Sequence, residues 1–272
     1  MLSMEEILKK EVVYKIDNME NVNILKNLVY KTNGKKEFLM DMYTPFSNEK
    51  EEKLPVVILV HGEAKFVNFK DVGQYTSMGK LIAASGLNAV TFNHKVLSEG
   101  FSIKEINSDI DILIKYLVEN NEKLNIDKDK IAIWCFSGGV PFGLYAGMHR
   151  YSNYVKCIIA YYGLTDFKHA GQLLGINISD EDEEVEKYSP IYLIDENSKK
   201  IPPLFIARAG LDNPILNESL DKFITKALVN NLTVDIYNHP TGGHAFDLFN
   251  DNDRTCEIIS KSLDFLRKYL IV

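Results

Sequence analysis

Three side chains in this sequence could together move an acyl group. Ser137 ends the apolar run Ile131-Ala132-Ile133-Trp134-Cys135-Phe136 and is followed by Gly138-Gly139. Asp212 lies in Ala209-Gly210-Leu211-Asp212-Asn213-Pro214, and His244 in Thr241-Gly242-Gly243-His244-Ala245-Phe246. A serine hydroxyl is a weak nucleophile until a base takes its proton, and the base works best when an acid fixes its tautomer. Singly, each residue has a plainer reading: a structural Ser-Gly-Gly turn, a turn carboxylate, a loop histidine. Together they carry more, because serine, acid and histidine follow successive strands in the order nucleophile, orienting acid, base. The chemistry this implies is attack of Ser137 on an acyl carbonyl, with His244 as base and Asp212 as its orienting acid.

Such attack creates an oxyanion, which needs donors aimed at it. The Gly138 N–H sits at the start of the helix after Ser137, where negative charge is favoured. His61-Gly62-Glu63-Ala64 directly follows another apolar run. The Glu63 N–H is expected as the second donor, with Ala64 as its near alternative. His61 is expected to brace this loop and not to transfer protons.

These residues need a scaffold that delivers them to one edge. Val56-Val57-Ile58-Leu59-Val60 is continuously apolar, as in a strand covered on both faces. Further strands are expected at residues 88–92, before Ser137, and at 155–162, 204–209 and 234–237. Helices are expected at 74–84, from the capping box Ser102-x-x-Glu105, after Ser137 to about Arg150, from Pro214, and at the C-terminal end. Strands alternating with helices predict an α/β fold: a mostly parallel central sheet with helices on both faces. Before this, residues 12–16, 24–30 and 38–43 read as extended segments, with Asn33-Gly34 as a hairpin turn and residues 47–53 as a charged loop. The antiparallel N-terminal strands supply a sheet edge. About forty residues after Tyr162 lack a strand signal and are expected to form a small cap insertion, about 166–200. The acidic run at 180–186 within it reads as a solvated helix face. Nothing divides the chain, so residues 1–272 read as a single domain.

The chain has 272 residues, 46% hydrophobic and 25% charged, with a net charge of −7. That balance argues against nucleic acid as a partner. No run approaches a membrane span, so no membrane partner is expected. The three cysteines, Cys135, Cys157 and Cys256, each lie in apolar surroundings. They read as buried free thiols in a reducing, cytoplasmic compartment. His149, His169 and His239 show no metal-ligand spacing, and no metal site is expected. Oligomeric state is left open.

From about Tyr30 onward the chain resembles the α/β-hydrolase superfamily, in its esterase/lipase and dienelactone-hydrolase-like branch. The resemblance rests on Asp41-Met42-Tyr43-Thr44-Pro45, Val60-His61-Gly62, Phe92-Asn93-His94-Lys95, Ser137-Gly138-Gly139, Ser189-Pro190, Gly210-Leu211-Asp212 and Gly243-His244-Ala245-Phe246. It implies a serine esterase acting on small-molecule esters without a cofactor. Two positions depart from the pattern: Glu63-Ala64 replaces a glycine-rich oxyanion loop, and Cys135 replaces the first glycine of G-x-S-x-G. Ala64, Tyr161 and Tyr162 are the candidate substrate-binding residues, with Lys65, Phe66 and His94 as further strand-end candidates. Asp166 is the reserve acid. The alternatives are a prolyl-oligopeptidase-like peptidase or amidase using the same triad, and a hydrolase-fold binding module without catalysis.

Overall fold

The computed structural model describes residues 3–34, 36–46, 53–175, 183–197 and 200–271. Among them, strands β1 (Asn23–Asn33) and β2 (Lys36–Thr44) form the expected antiparallel ribbon, with Gly34 in the turn at φ +60°. Strands β3 (Leu54–Val60), β4 (Asn88–Phe92), β5 (Ile126–Phe136), β6 (Val155–Tyr161), β7 (Leu204–Ala209) and β8 (Val234–His239) follow. One sheet takes the order β1-β2-β4-β3-β5-β6-β7-β8; β2 meets β4 antiparallel, and β4 through β8 pair in parallel.

The helices are α1 (Met4–Lys9), α2 (Gly73–Ala84), α3 (Ile103–Glu119), α4 (Val140–Tyr145), α5 (Phe167–Leu174), α6 (Glu183–Tyr188), α7 (Pro190–Asn197), α8 (Pro214–Val229), α9 (Phe246–Phe249) and α10 (Asp253–Leu270). The helix expected to reach Arg150 does so through a π turn over Ala146–Arg150. Two starts follow their sequence signals. Ser102 and Glu105 close a reciprocal capping box on α3, and Asn213 caps α8 by accepting the Ile215 N–H, with Pro214 at the first position.

Successive side chains of a strand point to opposite faces, so a strand covered on both sides must be apolar throughout. In β5, Ile131, Ile133 and Cys135 join the core formed with α3, α4 and α8, while Ala132, Trp134 and Phe136 join that formed with α2 and α10. Trp134 is fully buried there.

Two expectations change. Residues 12–16 are not a strand: the Val12 N–H donates to Ser77 Oγ at 2.9 Å and the Val13 N–H to Asp247 O at 2.9 Å, so this segment is satisfied by α2 and α9. Of the three cysteines, Cys135 and Cys157 are buried but Cys256 is half-buried; all three are free. The segment after β6 contains α5, α6 and α7. Residues 180–182 of the acidic run and 47–52 of the charged loop lie outside the described residues; Val185 of α6 is buried.

Cys135 fits where the motif has glycine because α4 supplies a glycine opposite it. A Cβ placed on Gly143 would lie 2.7 Å from the Cys135 Cβ. Gly143→Ala should therefore cost about 1–3 kcal/mol in urea unfolding. The cost should shrink in a Cys135→Gly background. Equal costs in both backgrounds would show that this contact does not govern the site.

Candidate active site

The chain leaves β5 at Phe136 and turns through Ser137–Gly139 into α4, and Ser137 takes φ +51°. Serine rarely adopts this left-handed conformation, which holds its side chain clear of the sheet. The turn also accepts a close neighbour: a Cβ on Gly139 would stand 2.1 Å from the His61 carbonyl oxygen. Glycine is required there, and the loop after β3 therefore lies directly against the serine turn.

Asp212 follows β7 and His244 follows β8. The two loops are tied together by the Gly210 N–H donating to His239 O at 2.8 Å and the Leu211 N–H donating to Gly242 O at 2.9 Å. His244 Nδ1 lies 2.7 Å from Asp212 Oδ2, and Ser137 Oγ lies 2.8 Å from His244 Nε2. The other oxygen of Asp212 accepts the Asn213 N–H at 2.7 Å, so both carboxylate oxygens are engaged. The Asp212 side chain is 3% exposed and that of His244 40%. A neutral imidazole that donates a hydrogen bond through Nδ1–H to Asp212 presents Nε2 as an acceptor to the serine hydroxyl.

His61 is buried and braces its loop. Its Nε2 accepts the His94 N–H at 3.1 Å, so Nδ1 carries the proton and donates to Gly62 O at 2.8 Å. The ring stacks between Phe69 and His94, with centroids 4.1 and 3.6 Å away. Burial, and then the neighbouring His94, hold His61 well below its ordinary pKa; burial pushes His94 down to about 4.

The Glu63 carboxylate turns to the wall of the site, where Oε1 accepts the Leu97 N–H at 3.0 Å and Oε2 the Ser98 N–H at 3.1 Å. Burial raises its pKa while these amides pull the other way. Its backbone nitrogen lies 3.2 Å from where a Gly138 Cβ would stand, so the two expected oxyanion donors are neighbours.

Ser137, Gly138, Glu63, Asp212 and His244 all line a cleft of about 310 Å³. Ala64, Tyr161 and Tyr162 are not among its lining residues. Tyr161 is fully buried on the α10 side, its hydroxyl 2.7 Å from Ser262 Oγ. Tyr162 is buried as well, its hydroxyl bound to Asp247. Strand-end position placed both tyrosines near the site, but neither lines the cleft: the Tyr161 ring turns into the core, and the buried Tyr162 ring meets the His244 imidazole edge-on. Lys65, Phe66 and His94 are likewise not lining residues; Phe66 is exposed and His94 buried beneath the loop. Asp166 caps α5 by accepting the Lys168 N–H at 3.0 Å. The apolar wall instead comes from Leu97, Pro141, Leu164, Phe167, Leu173 and Leu216. The three-residue spacing of Phe167, Ala170 and Leu173 is the sequence signal for the α5 part of it.

A mostly parallel sheet with helices on both faces, and with these polar residues beyond the carboxyl ends of its strands, is the α/β-hydrolase fold. The chain belongs to the BD-FAE family, whose model matches residues 40–226. In three dimensions it is similar to a thermophilic esterase from the Planctomycetes species Thermogutta terrifontis, with 16% identity, a TM-score of 0.73 and coverage of 93% of this chain and 94% of that one. It is similar also to a truncated carbohydrate esterase from gut microbiota, with 19% identity, a TM-score of 0.73 and coverage of 91% and 96%. A further match is Thermogutta terrifontis esterase 2 phosphorylated by paraoxon, at 16% identity, a TM-score of 0.74 and coverage of 93% and 97%. No curated protein matches the sequence. Among the described residues no helix is long and apolar enough to cross a membrane.

The buried histidines make stability pH-dependent. Unfolded, His94 protonates near 6.5; folded, it stays neutral until about 4. The unfolded chain thus binds more protons in that window, so stability is present above it and is lost as pH falls through it. His94→Phe, which keeps a stacked ring, should flatten the acid limb of the unfolding free energy against pH, measured in urea between pH 6.5 and 4, by up to about 3 kcal/mol. An acid limb as steep as that of the wild type would acquit His94.

Proposed function

We propose that the protein is a serine hydrolase that cleaves carboxylic esters of small substrates through an acyl-enzyme intermediate. The observation that carries this reading is the unbroken hydrogen-bond chain Ser137–His244–Asp212 opening into an apolar cleft. His244 takes the hydroxyl proton as Ser137 Oγ attacks the ester carbonyl, and Asp212 steadies the imidazolium that forms. The N–H groups of Gly138 and Glu63 receive the developing oxyanion. His244 then gives its proton to the departing alkoxide. Water, activated by the same histidine, releases the acid and restores Ser137.

The acyl group is uncharged and apolar. The cleft wall is aliphatic and aromatic, and the carboxylates on it, Glu63 and Asp212, disfavour an anionic acid. Residues 1–272 act as one α/β-hydrolase unit in this account, with α5 of the 166–200 insertion serving as a small cap over the acyl side. The free thiols are in keeping with a reducing, cytoplasmic setting. The binding-module alternative expects a broken triad, whereas all three side chains stand in hydrogen-bonding order. Butyrate and a paraoxon-derived phosphoryl group are both known on Thermogutta terrifontis esterase 2, which recommends short acyl esters as first substrates.

Hydrolysis of p-nitrophenyl acetate, butyrate and octanoate tests the proposal. Ser137→Ala should lower kcat by about 10⁴-fold or more, and Asp212→Asn by about 10³–10⁴-fold through the wrong imidazole tautomer. A folded wild-type protein that turns over none of the three, or a Ser137→Ala variant as active as wild type, would contradict it.

A further inference from the structure

We propose that Tyr162 is a positioning residue for His244, locked in place by a buried hydrogen-bond triangle with Gln74 and Asp247. The proposal rests on the triad described above and extends it to a residue that touches no substrate.

The first observation is strain. Tyr162 takes φ +37°, a conformation that a bulky side chain adopts only when its surroundings over-determine it. Its N–H still donates to Ala207 O at 2.9 Å, so the β6–β7 ladder runs into the strained residue. What over-determines it lies at the other end of the side chain. The Tyr162 hydroxyl donates to Asp247 Oδ1 at 2.5 Å and accepts from Gln74 Nε2 at 3.0 Å; Gln74 also donates to Asp247 Oδ2 at 2.8 Å. One amide NH₂ and one hydroxyl thus satisfy a fully buried carboxylate. Burial pushes the Asp247 carboxyl up, and these two hydrogen bonds pull it back. The triangle joins the end of β6 to α2 and α9.

The second observation is what the strained turn touches. The Tyr162 ring meets the His244 imidazole edge-on, centroids 4.9 Å apart at 64°. The next residue packs under the nucleophile: a Cβ on Gly163 would stand 2.3 Å from the Ser137 carbonyl oxygen. Tyr162-Gly163 therefore contacts both partners of the Ser137–His244 hydrogen bond. His244 needs such support, because its loop carries Gly242 and Gly243 and its side chain is 40% exposed. Asp247 stabilises the loop again from behind: it lies in α9, which begins after Ala245 at φ +55°. A base displaced by about 1 Å costs on the order of 10²-fold in rate.

The test compares Tyr162→Leu, Tyr162→Phe and Gln74→Leu by kcat and KM for p-nitrophenyl butyrate, together with the low-field ¹H NMR resonance of the His244 Nδ1 proton, assigned by its loss in His244→Ala. Tyr162→Leu should lower kcat by about 100-fold with KM within about 3-fold, and should broaden the resonance away through exchange. Tyr162→Phe, which removes both hydrogen bonds of the hydroxyl, and Gln74→Leu, which removes the two that the amide donates, keep the aromatic ring at residue 162 and should each lower kcat by about 3–10-fold and retain the resonance. Should Tyr162→Leu fail to fold, the other two decide: wild-type kcat and an unchanged resonance in both would overturn the proposal. A foldable Tyr162→Leu with kcat within 2-fold of wild type and an intact resonance would overturn it too. The resonance does not depend on ester turnover. If the wild type hydrolyses no ester, the spectra still decide the positioning role, and only the esterase reading falls.

Discussion

Everything at the site depends on one close packing of backbone against backbone at Ser137. The turn from β5 into α4 holds the serine at positive φ, and the loop after β3 lies so near that Gly139 has no room for a Cβ. Opening that contact would move Ser137, the Glu63 and Gly138 amides, and the wall of the cleft together. The stacked, neutral pair of His61 and His94 supports the same contact from beneath. Both ring nitrogens of His61 and Nδ1 of His94 are engaged by backbone groups, which suits a loop that must keep its shape while charge develops beside it in the proposed reaction.

The rest of the fold is arranged to make that edge rigid and still leave it accessible. Parallel strands buried on both faces need apolar residues along their length, which forces the chain's polar chemistry beyond their carboxyl ends. Ser137, Asp212 and His244 follow three strand ends, and the loops carrying Asp212 and His244 are hydrogen-bonded to each other. Ser137 is held by the turn into α4, Asp212 by the Ala209 carbonyl and the Asn213 N–H, and the His244 loop by the Leu211–Gly242 hydrogen bond. The hydrogen bonds among the three then need little conformational search to form.

Much of this was legible from residue types. The strand signals gave β4 and β7 at their observed bounds, although Asn88 and Thr91 in β4 and Arg208 in β7 interrupt the apolar pattern. The three chemistry-bearing side chains could be picked out because each follows a strand. Side-chain direction at a strand end was not legible. Tyr161 continues the pleat into the core beside α10, and Tyr162 is turned by a backbone conformation that no local sequence rule demands. Residues 12–16 carry β-favouring types, yet their hydrogen bonds go to a serine side chain on α2 and a carbonyl on α9, partners far away in sequence. The Glu63 side chain belongs to the same class: its place was read from its amide, whereas its carboxylate reaches two amides more than thirty residues on. Such long-range pairings set the walls of the cleft, and periodicity does not encode them.

The central claim is that Ser137 is the nucleophile, activated by His244 and Asp212. The most direct measurement is to treat the folded protein with paraoxon, weigh it intact, and map the adduct by peptide mass spectrometry. The account predicts one diethylphosphoryl group per chain, carried on Ser137, and almost no adduct in a His244→Ala variant. A modified residue other than Ser137, or labelling of Ser137 at the same rate without His244, would contradict it.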